Sequence, residues 1–347
     1  MTFGWSQSSS YVDEVVATAM VKRFTTFDEN LMGNSHHYID SARIYAGGKT
    51  EKIIGDIRQK LPLSLLSSLV IGTKAAPSVG EEGLSSKGIR DQFESSMIAM
   101  GIDSCEEYYL HQPDTNHDLL ESLKCADLLI KEGKITKIGF SNYHASEVSR
   151  AFELCREHDL TAPSVYQGLY NPLNRLVEDE LLPLLKKNDC SFVAYNPLAA
   201  GLLTGKHKEL NNVAVGRFKE NPNYLPRFYT SANFEALQLI REQCAKDEIS
   251  MLDATYRWLL CHSSLNADTD GFLLGASSLE QLDQNLAACE AAIDSTSPLS
   301  PELLEAFDKS WELTKDEAFP YWRSYSKDMP NGENLDQGAS YKANKTK

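Results

Sequence analysis

Short β-rich runs alternate with longer amphipathic segments along this 347-residue chain, and the alternation restricts the fold more than any other feature. The β-rich runs are, in order, HHYID, LVIGTK, EEYYLH, ITKIGFSN, SVYQ, SFVAYN and GFLLGAS. Between LVIGTK and EEYYLH, apolar residues recur at helical spacing, which predicts an amphipathic helix; they are Ile89, Phe93, Met97 and Met100. Such alternation predicts a parallel sheet with crossover helices, either closed as a (β/α)8 barrel or open and doubly wound.

Seven runs are one strand short of a closed barrel. The eighth candidate is MTFGW, a stub too short for a full strand, which leads into a helix predicted around Val12 to Phe24. We expect an α/β fold, a (β/α)8 TIM barrel with long loops at the carboxyl ends of its strands and a truncated first strand. The longest of these loops spans Lys206 to Tyr229, and loops of that length are usually functional.

No linker divides the sequence. We therefore expect a single barrel domain over residues 1–325, with a last helix from about Pro301 to Lys315. A polar, disordered tail is predicted from residue 326 to residue 347.

Composition disfavours several classes of protein. A hydrophobic content of 42% is enough for a large core, whereas a formal net charge of −15 disfavours a nucleic-acid partner. The apolar stretches are too short to span a membrane, and the start of the chain lacks the pattern of a signal peptide. The seven cysteines lack the spacing of a disulfide framework or a zinc site. We expect a cytoplasmic protein without a metal, with a homodimer as a further option.

Reactive side chains fall where the predicted strands end. They are Asp40, Lys74, His111, Ser141 with Asn142, Gln167, and Tyr195 with Asn196. Barrel enzymes assemble their active sites at the carboxyl ends of the strands. One such residue alone is more often structural, and Asp40 with Lys74 could be an ordinary buried ion pair. Their recurrence on nearly every strand favours an active site.

The motifs around these residues resemble those of the aldo-keto reductases. They are DSARIY, IGTK, YYLHQPD, IGFSNY, VYQGLYNPL, AYNPLAAGLLTGK and LLGASSLEQLDQNL, in this order between about Asp40 and Asn285. Within that family the chain looks most like the aflatoxin-aldehyde reductases, which also act on succinic semialdehyde. The resemblance implies NADPH-dependent reduction of aldehydes, including dicarbonyls and carboxylate-bearing aldehydes, to alcohols.

The same resemblance assigns Asp40, Tyr45, Lys74 and His111 to catalysis. Tyr45 would donate the proton to the carbonyl oxygen, with its phenol pKa lowered by the nearby Lys74 ammonium. Asp40 would keep Lys74 charged and would also border the cofactor. His111 would donate a hydrogen bond to the carbonyl oxygen and stabilise the charge that develops there.

For the NADPH cofactor, the resemblance implies that Ser141, Asn142 and Gln167 hold the carboxamide and that Tyr195 stacks on the nicotinamide. The diphosphate would be bound by Asn196, Pro197, Leu198, Gly201, Leu203, Gly205, Lys206 and Arg217. The adenosine end would be bound by Ser277, Gln281, Gln284 and Asn285. Many members of the family carry at position 281 an arginine that pairs with the 2′-phosphate, and Arg217 or Lys206 could supply that charge here.

Substrate contacts are expected from His111, Tyr224, Arg227 and Arg323, because an arginine fork suits a carboxylate.

Two other functions remain open from the sequence. One is a nucleotide-binding, non-catalytic subunit like the channel-associated β subunits. The other is an inactive, truncated reductase, since a missing first strand would expose two sheet edges.

Overall fold

Seven parallel strands form one sheet in the computed structural model, which describes residues 3–6, 10–27, 36–213, 217–219, 221, 224–293 and 298–339. The strands are β1 (His37–Asp40), β2 (Leu69–Ala75), β3 (Cys105–Leu110), β4 (Ile135–Ser141), β5 (Val165–Leu169), β6 (Ser191–Tyr195) and β7 (Gly271–Phe272). Each strand pairs in parallel with the next one along the chain. Their carboxyl ends therefore share one end of the sheet, as in an α/β barrel.

Helices connect the strands and cover the outer face of the sheet. The described α-helices are α1 (Glu14–Thr25), α2 (Lys49–Arg58), α3 (Leu63–Leu66), α4 (Ser86–Met100), α5 (Leu119–Lys131), α6 (Ala145–Glu157), α7 (Leu181–Lys187), α8 (Leu225–Phe228), α9 (Ser231–Lys246), α10 (Met251–Cys261), α11 (Leu279–Ile293) and α12 (Pro301–Thr314). In α4, the stripe of Ile89, Phe93, Met97 and Met100 is buried, as its spacing predicts. Over the described ranges, no helix is both long and apolar enough to cross a membrane.

The seven strands coincide with the seven β-rich runs of the sequence, which confirms the predicted α/β fold. β7 is shorter than its run, although the Leu273 N–H still donates to the Ala194 carbonyl at 2.9 Å. Within the described residues, the N-terminal stub adds no strand to the sheet. Phe3 instead pairs with Val12, and its carbonyl accepts a hydrogen bond from the Thr50 hydroxyl at the start of α2.

The helical layer continues from the last unit of the chain to the first. Helix α1 packs beside α11, where Arg23 and Asp283 form an ion pair of 2.6 Å. Helix α1 is capped by Asp13, whose carboxylate accepts a hydrogen bond from the Val16 N–H. The first and last helices are therefore neighbours, as a ring of helices around a barrel requires.

Residues 326–339 correct the expectation of a disordered tail from residue 326. The Ser326 N–H donates to the buried Glu147 carboxylate at 2.8 Å, and Asp328 pairs with Arg150 at 2.6 Å. Ala339 is buried. The ordered chain therefore continues at least to Ala339. The rest of the predicted tail, residues 340–347, lies outside the described residues.

Candidate active site

The parallel register brings the predicted catalytic and carboxamide-binding residues to one end of the sheet. Asp40 and Ser141 end their strands, Lys74 is the penultimate residue of β2, and His111 directly follows β3. Ser141 lies beside Gln167 across the β4–β5 pair. Side chains from five neighbouring strands are thereby gathered at the carboxyl end.

A buried ion pair lies at the centre of this group. The Lys74 ammonium, which is fully buried, donates to Asp40 Oδ1 at 2.5 Å and to the Ser41 carbonyl at 2.7 Å. Gln167 Nε2 donates to the same Asp40 oxygen at 2.8 Å. Burial lowers the pKa of Lys74, while the Asp40 carboxylate acts in the opposite direction and favours the charged ammonium.

Tyr45 lies over this ion pair. The Lys74 Nζ atom is 5.2 Å from the centroid of the Tyr45 ring. Tyr45 opens a tight turn in which Ala46, Gly47 and Gly48 all have positive φ angles. This conformation is costly for most side chains, so the turn depends on its two glycines to hold the tyrosine over the sheet.

His111 completes the catalytic group predicted from the sequence. Its ring meets the Tyr45 ring edge-on, with the centroids 5.6 Å apart and the planes at 81°. Burial lowers the pKa of His111 well below its usual range, and the positive charges of Lys74 and Arg323 act in the same direction. The imidazole is therefore neutral at physiological pH and carries a single N–H donor.

Asn142 links several of these side chains. Its Nδ2 donates to the His111 carbonyl at 2.8 Å, and its Oδ1 accepts from the Tyr195 hydroxyl at 3.0 Å. Its backbone carbonyl accepts the N–H of Arg323 at 2.9 Å. Asn142 has a left-handed backbone (φ 62°), which asparagine adopts more readily than most residues. One residue thus touches the candidate catalytic histidine, the candidate stacking tyrosine and the candidate substrate arginine.

The segment that follows β6 carries the predicted diphosphate-binding residues. Asn196 has a positive φ and its carbonyl accepts from Asn171 Nδ2 at 3.1 Å. Leu198 and Leu203 are buried in the core, so only their backbone is suited to contact a ligand, and Pro197 is buried as well. The glycines at 201 and 205 both have positive φ, and the side chain of Lys206 is exposed.

The long loop predicted between Lys206 and Tyr229 holds two of the predicted arginines. Arg217 Nη1 donates to the Tyr224 hydroxyl at 3.2 Å, with its guanidinium over the Tyr224 ring. Arg227 lies 4.0 Å from the ring centroid of Phe319, in the segment that leads to Arg323. Aromatic packing therefore ties this loop to the C-terminal segment.

The predicted adenosine-binding residues form a separate group around the start of α11. The backbone N–H and the hydroxyl of Ser277 both donate to Gln281 Oε1 at 2.9 Å. Asn285 is buried and donates to the Gly275 carbonyl at 3.2 Å, whereas Gln284 is exposed. Ser278 caps the helix as predicted, since its hydroxyl accepts the Gln281 N–H at 3.2 Å.

Two residues of the site escaped the sequence analysis. The ring centroid of Tyr109 lies 5.2 Å from Lys74 Nζ, on the inner face of β3. Its position two residues before His111 was the available signal, because alternate residues of a strand share a face. Gln112 accepts a hydrogen bond from Arg323 Nη1 at 3.1 Å, a contact between residues far apart in sequence.

Comparisons with known proteins show the family of this chain. The model of the aldo/keto reductase family matches residues 1–298. The chain belongs to the aldo/keto reductase family. It is 39% identical over 299 residues to human aldo-keto reductase family 7 member A3, which covers 83% of this chain and 88% of that protein. It is 36% identical over 334 residues to mouse aflatoxin B1 aldehyde reductase member 2, covering 92% of this chain and 86% of the relative. These matches confirm the resemblance drawn from the motifs and identify the chain as an oxidoreductase of this family.

Proposed function

We propose that this aldo/keto reductase reduces aldehydes to alcohols with NADPH, and that Tyr45 supplies the proton. The observation that carries the proposal is the position of the Tyr45 ring, 5.2 Å from the Lys74 ammonium and 5.6 Å from the His111 ring. An aldehyde as the substrate class is supported by relatives whose names describe aflatoxin B1 aldehyde reductases.

The side chains at this end of the sheet fit a nicotinamide. Ser141, Asn142 and Gln167 carry hydroxyl and amide groups, which complement a carboxamide that both donates and accepts hydrogen bonds. Tyr195 offers an aromatic face beside them. When bound, NADPH supplies the hydride that reduces the carbonyl carbon.

We assign the proton at the carbonyl oxygen to Tyr45 rather than to His111. His111 is neutral at physiological pH because its pKa is well below the usual range, so it is suited to donate a hydrogen bond rather than a proton. The Tyr45 hydroxyl is then the acid. Lys74 stabilises the phenolate that remains after proton transfer, and Asp40 keeps the ammonium in place.

Arg323 supports a preference for aldehydes that carry an acid. Its Nη1 donates to Oε1 of Gln112, the residue after His111, at 3.1 Å, and its positive charge contributes to the lowered pKa of His111. A guanidinium binds a carboxylate through two parallel, charge-assisted hydrogen bonds. Succinic semialdehyde is a substrate of this kind, and we include compact dicarbonyls in the proposed substrate class.

The test is the Tyr45→Phe variant, assayed by the loss of NADPH absorbance with a panel of aldehydes. We expect kcat to fall by about 10²–10⁴-fold, because the variant keeps the ring and loses the acid. NADPH affinity, followed by its fluorescence, should be nearly unchanged. Tyr11→Phe, at an exposed tyrosine, is the matched control and should behave as wild type.

Substantial turnover by Tyr45→Phe would reject this tyrosine as the proton donor. A wild-type protein that binds NADPH tightly and turns over none of the aldehydes would instead favour the non-catalytic, nucleotide-binding function.

A further inference from the structure

The chain beyond Arg323 folds back on the segment that carries this arginine. Arg323 and Gly338 form an antiparallel bridge, in which the Ser324 N–H donates to the Gln337 carbonyl at 2.6 Å. The Ala339 N–H donates to the Trp322 carbonyl at 2.9 Å on the other side of Arg323. We call residues 324–339 the C-terminal clasp.

Side chains reinforce this pairing. Trp322 Nε1 donates to the Asp336 carbonyl at 2.9 Å, and the Ser324 hydroxyl donates to Gln337 Oε1 at 3.0 Å. Gln337 Nε2 in turn donates to the carbonyls of Gly332 and Leu335 at 2.6 and 2.9 Å. The clasp therefore has its own network of hydrogen bonds around the backbone of residues 322–324.

The clasp is also anchored to the barrel. The Lys327 N–H donates to the Asp114 carbonyl at 3.0 Å, in the loop that follows β3. Asp328 accepts the N–H of Leu119 at 2.8 Å and pairs with Arg150 on α6. The backbone of Arg323 is thereby held by its hydrogen bond to the Asn142 carbonyl, in a segment that the clasp pairs with and anchors to the barrel.

Gly338 is the position where the clasp is most sensitive to substitution. Its φ is +63°, and a β-carbon would lie 2.5 Å from the Trp322 carbonyl oxygen. A contact that short is not tolerated, so any side chain at this position must push the returning strand away from Trp322 and Arg323. The sequence of the clasp thus requires a glycine at the residue that pairs with the arginine.

We propose that the C-terminal clasp is a specificity-determining element that fixes Arg323 in the orientation needed to bind the carboxylate of the substrate. The inference rests on the proposed function. Arg323 Nη1 donates to Gln112 Oε1 at 3.1 Å, and this bond orients the guanidinium. Fixing the backbone and this bond in advance lowers the entropy lost when a carboxylate binds. Residues of the clasp are positioning residues and have no part in proton transfer.

The experiment compares Gly338→Ala, the milder Gln337→Ala, Arg323→Ala and the Arg323→Ala/Gly338→Ala double variant in the full-length protein. Kinetic constants are measured with succinic semialdehyde and with the uncharged nitrobenzaldehyde. The control is Gly133→Ala, which imposes a similar left-handed strain (φ +68°) where no atom lies within 4 Å of the added carbon.

We expect Arg323→Ala to raise KM for succinic semialdehyde at least about tenfold with little change for nitrobenzaldehyde, because a charged hydrogen bond is lost. Gly338→Ala should raise the same KM several-fold with kcat nearly unchanged, and Gln337→Ala should do so less strongly. The double variant should be no worse than Arg323→Ala, since both changes act through one guanidinium.

Additive losses in the double variant, or equal losses for both aldehydes in the clasp variants, would overturn the role of the clasp. If Arg323→Ala itself shows no charge-selective effect, the carboxylate preference of the proposed function is wrong. If the Gly338→Ala protein does not fold, the same comparison of charged and neutral aldehydes in Gln337→Ala decides the question.

Discussion

Replacing Glu147 by glutamine should stabilise this protein at neutral and alkaline pH. Glu147 lies on α6 and is fully buried, and one of its oxygens accepts the Ser326 N–H at 2.8 Å. Burial raises the pKa of this carboxyl from about 4.5 to about 7, although the bonds from Ser326 and the charge of Arg150 oppose the shift. Glutamine keeps an acceptor oxygen for Ser326 and removes the charge.

The direction of the pH dependence of stability follows from the protonation of Glu147 in the folded and in the unfolded protein. Between about pH 4.5 and 7 the folded protein holds a proton on Glu147 that the unfolded chain has lost. Binding of this proton stabilises the folded protein. The stabilisation is fully present below about pH 4.5 and is lost as the pH rises through 7. Because one pKa unit corresponds to about 1.4 kcal/mol, burying the ionised carboxylate costs roughly 3 kcal/mol above pH 7.

Denaturant unfolding of wild type and Glu147→Gln, over a series of buffers from about pH 5 to about pH 8, measures this difference. We expect nearly equal free energies of unfolding at the acidic end and a variant more stable by roughly 2–3 kcal/mol at the alkaline end. Glu147→Leu is the control that also loses the bond to Ser326. A difference that does not change with pH, or a glutamine variant that is less stable at alkaline pH, would refute the reasoning.

Two further predictions concern the catalytic group and the cofactor. Lys74→Met should lower kcat by at least about 10²-fold and change the pH profile of turnover, because the phenolate of Tyr45 loses its cation. An unchanged pH profile would show that Lys74 does not tune the pKa of the tyrosine. Gln281→Arg should raise the preference for NADPH over NADH by about tenfold or more, because an arginine there pairs with the 2′-phosphate. The affinities of both cofactors are measured by fluorescence titration. Equal effects on the two affinities would contradict that pairing.

The strands, and the end of the sheet that gathers the candidate catalytic residues, were predictable from the sequence because both depend on local patterns. A β-rich run that ends in a polar residue places that residue at the carboxyl end of a parallel strand, as for Asp40 and Lys74. The order of the strands then follows from their connections, since successive parallel strands joined by helices are usually neighbours.

The C-terminal clasp was not predictable in this way. Its composition is polar and reads as disorder, whereas its order comes from contacts with residues far away in the chain, such as Glu147 and Arg150. Gln112 escaped for a related reason. Its distance from Arg323 depends on the return of the chain over the barrel, which local patterns do not encode.

The hydrogen bonds of Asn142 have a thermodynamic consequence for the proposed reaction. Its side chain belongs to the proposed carboxamide-binding group, while its backbone carbonyl accepts the N–H of Arg323. In the proposed complex, a nicotinamide that contacts the Asn142 side chain and an aldehyde that contacts Arg323 are therefore joined through one residue. Linkage requires any coupling between the two sites to be reciprocal, so a bound acid-bearing aldehyde changes the affinity for the dinucleotide by the same factor by which the dinucleotide changes the affinity for the aldehyde. We expect Asn142, which contacts both groups, to contribute to that coupling free energy.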